Sequence, residues 1–469
     1  MNSSSSENSN KGLTSAPETS HQIGGFRGAK QRLTSFDGGE TAQTQLFAPD
    51  RYRFFDDIAD TSHRIARGSG LSYSAASFTE NGSTICHQSF DRILDFDSTT
   101  GEVEVEPGIT LWVLFQFLVE RGYYLPCHPG HGAITIGGCI AADVHGKNHV
   151  RDGNFNAQIV SLDLFHPAHG NIHLSPHENL SLFELTCGGF GLTGHILKAR
   201  LKPEPIASNT VERSNRRFDN FSDTLDGLRD VQKNSDFSYS WHDMSRPGIG
   251  FGAGYVHSGN IIAQADIAPK YQGKFSPSAT SLQRRLPANG VINHLTTPAL
   301  NYAYQTKQWM ASRKPHISLQ DAVFPLHGSE SYFALYGVRG FHEVQMLIPL
   351  EHVQTIVDFL EKYVKDNKLV IGLASGKEFD GTQRLLRYSG KGYNLALNLP
   401  RTKTSEKSLA DLDRLLIACG GRSNLIKDSR ISRATAEAFY PEIEEFRETL
   451  TEFDSKRLFR SLLSKRIAL

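Results

Sequence analysis

The sequence predicts an α+β protein built of two interleaved parts. Three observations lead there. Residues 345–420 run strand, helix, strand, helix; shorter alternating strands broken by glycine precede residue 205; and 469 residues are too many for one ordinary domain. Hydrophobic residues make up 39% of the chain, enough for a packed core, and fifty basic residues balance fifty acidic ones. That balance offers no general basic surface for nucleic acid, so no nucleic-acid partner is expected.

Taken in order, residues 1–25 lack apolar residues in any number and read as a disordered tail rather than a signal peptide. From about residue 45 the chain reads as globular. Residues 102–106 (EVEVE) alternate and end at Pro107-Gly108, a strand and its turn. Leu111, Leu114, Phe115 and Leu118 then share one helical face, and Gly122 stops the helix. Two alternating runs from residue 159 flank His169-Gly170, a hairpin, and the run from residue 191 is a strand closed by prolines. Aromatic strands follow (FSYSWHDM, GFGAGYVHS), and 273–290 reads as a mobile loop. QMLIPL and LALNLP are strands, each followed by an amphipathic helix.

Cys86, Cys127, Cys139, Cys187 and Cys419 are odd in number and form no CxxC pair, so reduced thiols in a cytoplasmic protein are expected. No run reaches the eighteen or so apolar residues that span a bilayer. Cys127, His128 and His131, with His145 and His149, invite comparison with a zinc site. No second pair completes four ligands at a familiar spacing, and no metal is expected.

Three glycine-rich segments carry the chemistry. In the first, Arg67, Gly68, Ser69, Gly70, Leu71, Ser72, Tyr73 and Ser74, two glycines and adjacent hydroxyls let backbone N–H groups converge on an anion. It matches neither the dinucleotide GxGxxG-helix pattern nor the P-loop. The second runs from Pro129 to His149, and nearly half of it is small residues. Such a segment lets a large planar ligand lie against the backbone, with His145, Lys147 and His149 projecting from a glycine-flanked bend. The third, Cys187 to Gly194, immediately precedes a strand.

Together these segments resemble the vanillyl-alcohol-oxidase/p-cresol-methylhydroxylase superfamily of FAD-binding proteins. The resemblance runs from about Arg32 to Leu469. It rests on ARGSGLSYS, GEVEVEPGITLWVL, GYYLPCHPGHGAITIGGCIAADVHGKNH, GGFGLTG, GFHEVQMLIP and GGRSNLIKDSR. It implies a two-part FAD domain over 26–205, a substrate domain on an antiparallel sheet over 206–420, and a C-terminal segment, 421–469, that returns to the FAD domain. It implies hydride transfer from a carbinol carbon to the flavin while a base takes the hydroxyl proton. The likeness is to the branch that oxidises a prenyl-phosphate pentose for cell-envelope polysaccharide. There the keto sugar passes to a short-chain reductase partner, and a lipid-bearing substrate draws the protein to a membrane surface.

By position, the resemblance implies that Arg67 to Ser74, with Gly130, His131, Thr135, Gly137 and Gly138, wrap the pyrophosphate and ribityl chain. Ala142, His145 and Gly146 are implied beside the flavin, and Gly191 and Ile196 at its adenosine half. Asn424 joins the cofactor set from the C-terminal return. Lys427, Lys147, Tyr73 and Gln345 are implied on the substrate side as the catalytic group. Leu71 stands where members with a histidyl flavin link carry histidine, so the FAD is expected to be non-covalent. His131 stands near the place of a cysteinyl link.

Three positions depart from the family pattern: Ala396 for a cysteine, Glu343 for a glutamine, and Val323 for a tyrosine. They leave the substrate open between a prenyl-phosphate sugar and a polyol or sugar lactone. A flavin-binding protein without catalysis is the reading outside enzymes.

Overall fold

The computed structural model describes residues 22–23, 25–58, 62–263, 290–326 and 331–469. Three sheets dominate. The first has four strands in the order Ala29–Thr34, Thr41–Phe47, Ser83–Cys86, Arg64–Arg67, the last three parallel. The second is antiparallel, in the order Gly170–Leu174, Ile159–His166, His195–Leu201, Val103–Val105, Ile93–Phe96. The third has eight antiparallel strands: His316–Ser318, Thr210–Phe218, Ala253–Ile261, Phe237–Asp243, Leu373–Asp380, Lys391–Pro400, Phe341–Ile348 and Arg422–Ser423. The architecture is α+β.

The helix Leu111–Val119 begins where Thr110 Oγ1 accepts from Val113 N, and it buries Leu111, Trp112, Leu114, Phe115 and Leu118. The helices Val353–Asn367 and Lys403–Ala418 lie on one face of the large sheet. Val344, Met346 and Ile348 share a core with Leu395, Leu397 and Leu399 and with Ile356, Leu360, Leu409 and Leu412 of those helices. Because strand side chains alternate, Glu343, Gln345, Asn394, Ala396 and Asn398 project from the opposite face. Every residue of Phe341–Ile348 is buried, which shows that both faces of this strand are covered.

The globular part begins earlier than about residue 45. Ala29–Thr34 already pairs with Thr41–Phe47, and Gln22–Ile23 pairs with Phe26–Arg27. The reason is aromatic packing: Phe26 meets Phe54 edge-on at 5.5 Å and Ile23 is buried in the same cluster. Residues 1–21 of the expected tail lie outside the described residues, as does nearly all of the expected loop 273–290. The strand around QMLIPL starts at Phe341 and the one around LALNLP at Lys391, because both are held by pairing to each other over their whole lengths.

The C-terminal segment lies against the first sheet. Arg64 forms a parallel bridge with Phe459, Leu463 N donates to Ala75 O, and Ser74 N donates to Ile426 O. Beneath this junction His87 Nε2 lies 3.0 Å from His195 Nδ1, the rings stacked at 5.1 Å and both buried. Burial holds the His87 imidazolium down to about 4 and that of His195 well below its ordinary value. Unfolding frees these rings to protonate near 6.5. Their contribution to stability is therefore complete above about pH 6.5 and is lost as the pH falls toward 4, by roughly 3 kcal/mol from His87 alone. Urea melts at pH 7.5, 6 and 5 should show a falling midpoint, and His87→Phe should flatten that slope. A midpoint independent of pH would contradict this.

Candidate active site

The parallel strand Arg64–Arg67 ends in the first glycine-rich loop, and a cavity of about 270 Å³ opens there. In α/β sheets ligands favour the carboxyl ends of strands. Gly70 takes φ +69°, which a side chain would strain. Arg67 is held by Nη1 donating to Ser77 Oγ at 2.9 Å. The opposite wall is the start of the helix Ile136–Ala142, capped by Thr135 Oγ1, which accepts from Gly138 N. A Cβ at Gly68 would stand 2.1 Å from Thr135 Oγ1, so these two walls approach because residue 68 has no side chain. Helix N-terminus and loop together form a cradle suited to a dinucleotide's phosphates.

The cavity is lined by Arg67 through Tyr73, Gly130, Thr135, Gly137, Gly138, Ala142 and His145. Gly191, Ile196, Gln345, Asn424 and Lys427 complete that list of expected positions. The structure does not bring His131, Gly146 or Lys147 to this wall. His131 Nδ1 accepts from Ala133 N within its own turn. A Cβ at Gly146 would lie 3.2 Å from Cys127 Cα and from Pro126 O, and one at Gly137 would lie 2.9 Å from Pro107 Cβ. The missing side chains at 137 and 146 thus make room for protein, not ligand.

Lys147 differs most from the expectation. Its Nζ donates to Val323 O, and it borders a separate space of about 10 Å³, too small for a sugar. Burial pushes its ammonium well below the ordinary lysine value. It lies just behind Gly130 of the main wall: a Cβ there would stand 3.5 Å from Pro325 Cδ and 3.8 Å from Lys147 Nζ. A lysine that the sequence analysis does not single out, Lys377, lines the cavity. It lies on Leu373–Asp380 opposite Asn394 and donates from Nζ to Gly146 O at 3.0 Å. Burial, with Lys427 nearby, draws its ammonium down to about 8.

A directed chain of hydrogen bonds joins the parts. Asn424 Nδ2 donates to Gln345 Oε1 at 2.7 Å, and Gln345 Nε2 stands 3.0 Å from His145 Nε2. His145 Nδ1 stands 3.1 Å from Gly146 O. With His145 held neutral by burial, the consistent arrangement has Nδ1–H donating to Gly146 O and Nε2 accepting from Gln345. Both ring nitrogens are thereby used.

Lys427 Nζ is 3.2 Å from Glu343 Oε1 and 3.9 Å from the centre of the Tyr73 ring. Glu343 Oε2 accepts from Asn398 Nδ2 at 2.9 Å. Glu343, one of the three departures, is therefore the counter-ion of Lys427. Ala396, another of the departures, stands opposite Gln345 and Ser375. The Asp143 carboxyl, at the end of the helix, is raised to about 6 by burial despite Arg387 Nε at 3.7 Å. Among the described residues, no group of three or more His, Cys, Asp or Glu could hold a metal ion, and no helix is long and apolar enough to cross a membrane.

A family model described as an FAD binding domain matches residues 59–175. Decaprenylphosphoryl-beta-D-ribose oxidase of Mycolicibacterium smegmatis is 28% identical over 413 residues, 86% of this chain and 89% of that one. An uncharacterized protein of Streptomyces coelicolor is 28% identical over 377 residues, 77% of this chain and 100% of its own. L-galactono-1,4-lactone dehydrogenase 2 of Oryza sativa subsp. japonica is 29% identical over 162 residues, 34% of this chain and 27% of its own.

Proposed function

We propose that this chain, an FAD-dependent oxidoreductase of the vanillyl-alcohol-oxidase/p-cresol-methylhydroxylase type acting on a CH–OH group, oxidises a secondary alcohol of a sugar to a ketone. The observation that carries the reading is the polar end of the cavity, where Tyr73, Gln345, Lys377 and Lys427 meet on one wall. Bound FAD supplies a two-electron acceptor for the carbinol hydride. The residues fit that cofactor: the Gly68–Thr135 cradle suits its phosphates, and the cavity runs from there to the paired lysines.

Tyr73 and the Glu343 carboxylate hold the Lys427 ammonium in place, where it binds a sugar hydroxyl or the charge that develops on it. Gln345 is fixed by Asn424 and His145, so its own role is to hold the wall in register. The similarity over most of the chain favours a prenyl-phosphate sugar, whose keto product a short-chain reductase would consume. The Glu343 carboxylate supports a second reading, a neutral polyol or sugar lactone, because it offsets the cation that an anionic headgroup would use. An anaerobic flavin-reduction screen across polyols, sugar lactones and prenyl-phosphate sugars tests both. Reduction by none of them would overturn the reading.

The flavin should be held non-covalently. The lining carries Leu71 in the first loop, no cysteine, and two histidines, His145 with both ring nitrogens engaged and His87 paired through Nε2 with His195. Acid precipitation should release all of the yellow colour, and fluorescence left on the denatured band would contradict this.

A further inference from the structure

We propose that Lys377 is the group that accepts the hydroxyl proton as the alcohol is oxidised, an inference that rests on the alcohol oxidation proposed above. Two lysines line the cavity, and their surroundings divide the work. Lys427 Nζ is paired with Glu343 Oε1 at 3.2 Å and lies 3.9 Å from the centre of the Tyr73 ring. Lys377 has no carboxylate in contact; its hydrogen bond among the described residues is the one it donates to Gly146 O at 3.0 Å. A neutral amine can donate that bond as well as an ammonium can, and it keeps a lone pair for a proton.

The charges around Lys377 favour the neutral form. Lys427 is the neighbouring lysine that acts against the charge, Glu343 and Cys127 act the other way, and Lys147, whose own ammonium burial pushes well down, adds no cation. The imidazoles of His128, His145 and His149 near it are held neutral by burial. Burial and Lys427 bring the Lys377 ammonium to about 8, close to the working range of a general base. The other candidates are occupied. His145 spends both nitrogens on Gly146 O and Gln345. The Glu343 oxygens face Lys427 and Asn398. The Tyr73 hydroxyl is raised by burial and by Glu343, so it keeps its proton.

The step balances as follows. The C–H bond breaks and its electron pair leaves with the hydrogen to bound FAD, which is reduced by two electrons. The O–H bond breaks and its proton joins the Lys377 lone pair, giving the ammonium. The carbinol C–O bond becomes C=O. Lys427, paired with Glu343, stabilises the charge that develops on the oxygen.

The test pairs kinetics with an equilibrium measurement on the holoenzyme. In the parent, flavin reduction by a substrate from the screen should rise about tenfold per pH unit on the acid side and level off near 8. The absorbance of the oxidised bound flavin should titrate with the same midpoint in the absence of substrate. Lys377→Met, with FAD still bound, should be about a hundredfold slower, with a flat profile and no spectral midpoint. Lys377→Arg restores charge but cannot release a proton, so it should stay equally slow. An arginine variant within threefold of the parent, or a methionine variant that keeps the acid limb, would overturn the assignment. If neither variant retains FAD, the parent decides: the lack of either the acid limb or the spectral midpoint overturns it. A parent reduced by no alcohol sinks the functional reading and the proton-transfer role with it, while a missing spectral midpoint in a reducible parent sinks Lys377 alone.

Discussion

Lys427→Met should keep its FAD and yet be reduced by substrate about tenfold to a thousandfold more slowly, the scale of losing one positioned charge. The variant also takes the cation away from the buried Glu343 carboxylate and leaves it the neutral Asn398 amide and Tyr73 hydroxyl as partners. Stability and catalysis therefore have to be separated. The double variant Lys427→Met, Glu343→Gln removes both charges, so its thermal midpoint should recover most of what the single change loses. Its reduction rate should not recover. A rate that returned with the stability would mean that Lys427 acts on the fold and not on the substrate.

Gly68→Val should yield mostly apoprotein. Its Cβ would stand 2.1 Å from Thr135 Oγ1, the atom that caps the helix Ile136–Ala142. Relief requires moving either the cap or the loop, and both shape the phosphate end of the cavity. Overpacking of this kind costs about 1–3 kcal/mol before any loss of ligand contacts. We expect FAD affinity to fall by about a hundredfold or more, with a lower thermal midpoint because less cofactor stabilises the folded state. Flavin content equal to the parent's would contradict the placement of this cradle.

What the sequence made legible follows from how local each signal is. The hairpin at His169-Gly170 and the helix from Leu111 appear as read, because alternation and helical spacing act over a few residues. The cavity's glycine-rich walls were likewise visible as composition. Lys377 was not, since its place comes from the pairing of Leu373–Asp380 with Lys391–Pro400, a long-range register that no local pattern encodes. Lys147 meets the same limit: its place in a glycine-flanked bend says nothing about Val323, far away in sequence, whose carbonyl accepts from it. Glu343 stood out as a departure from the family pattern. Its meaning appeared only when the fold brought Lys427 beside it.

The contact between the first loop and the C-terminal return also constrains the order of assembly. Ser74, in that loop, hydrogen-bonds to Ile426 across 352 positions of sequence, and Arg64 bridges Phe459. During synthesis the loop therefore lacks its support until the ribosome has delivered the later segment. Long-range closure of this kind slows folding. Cofactor capture is accordingly expected to wait for that closure, and the apoprotein, without the stabilisation that bound FAD gives, should be the form more readily cleaved by protease.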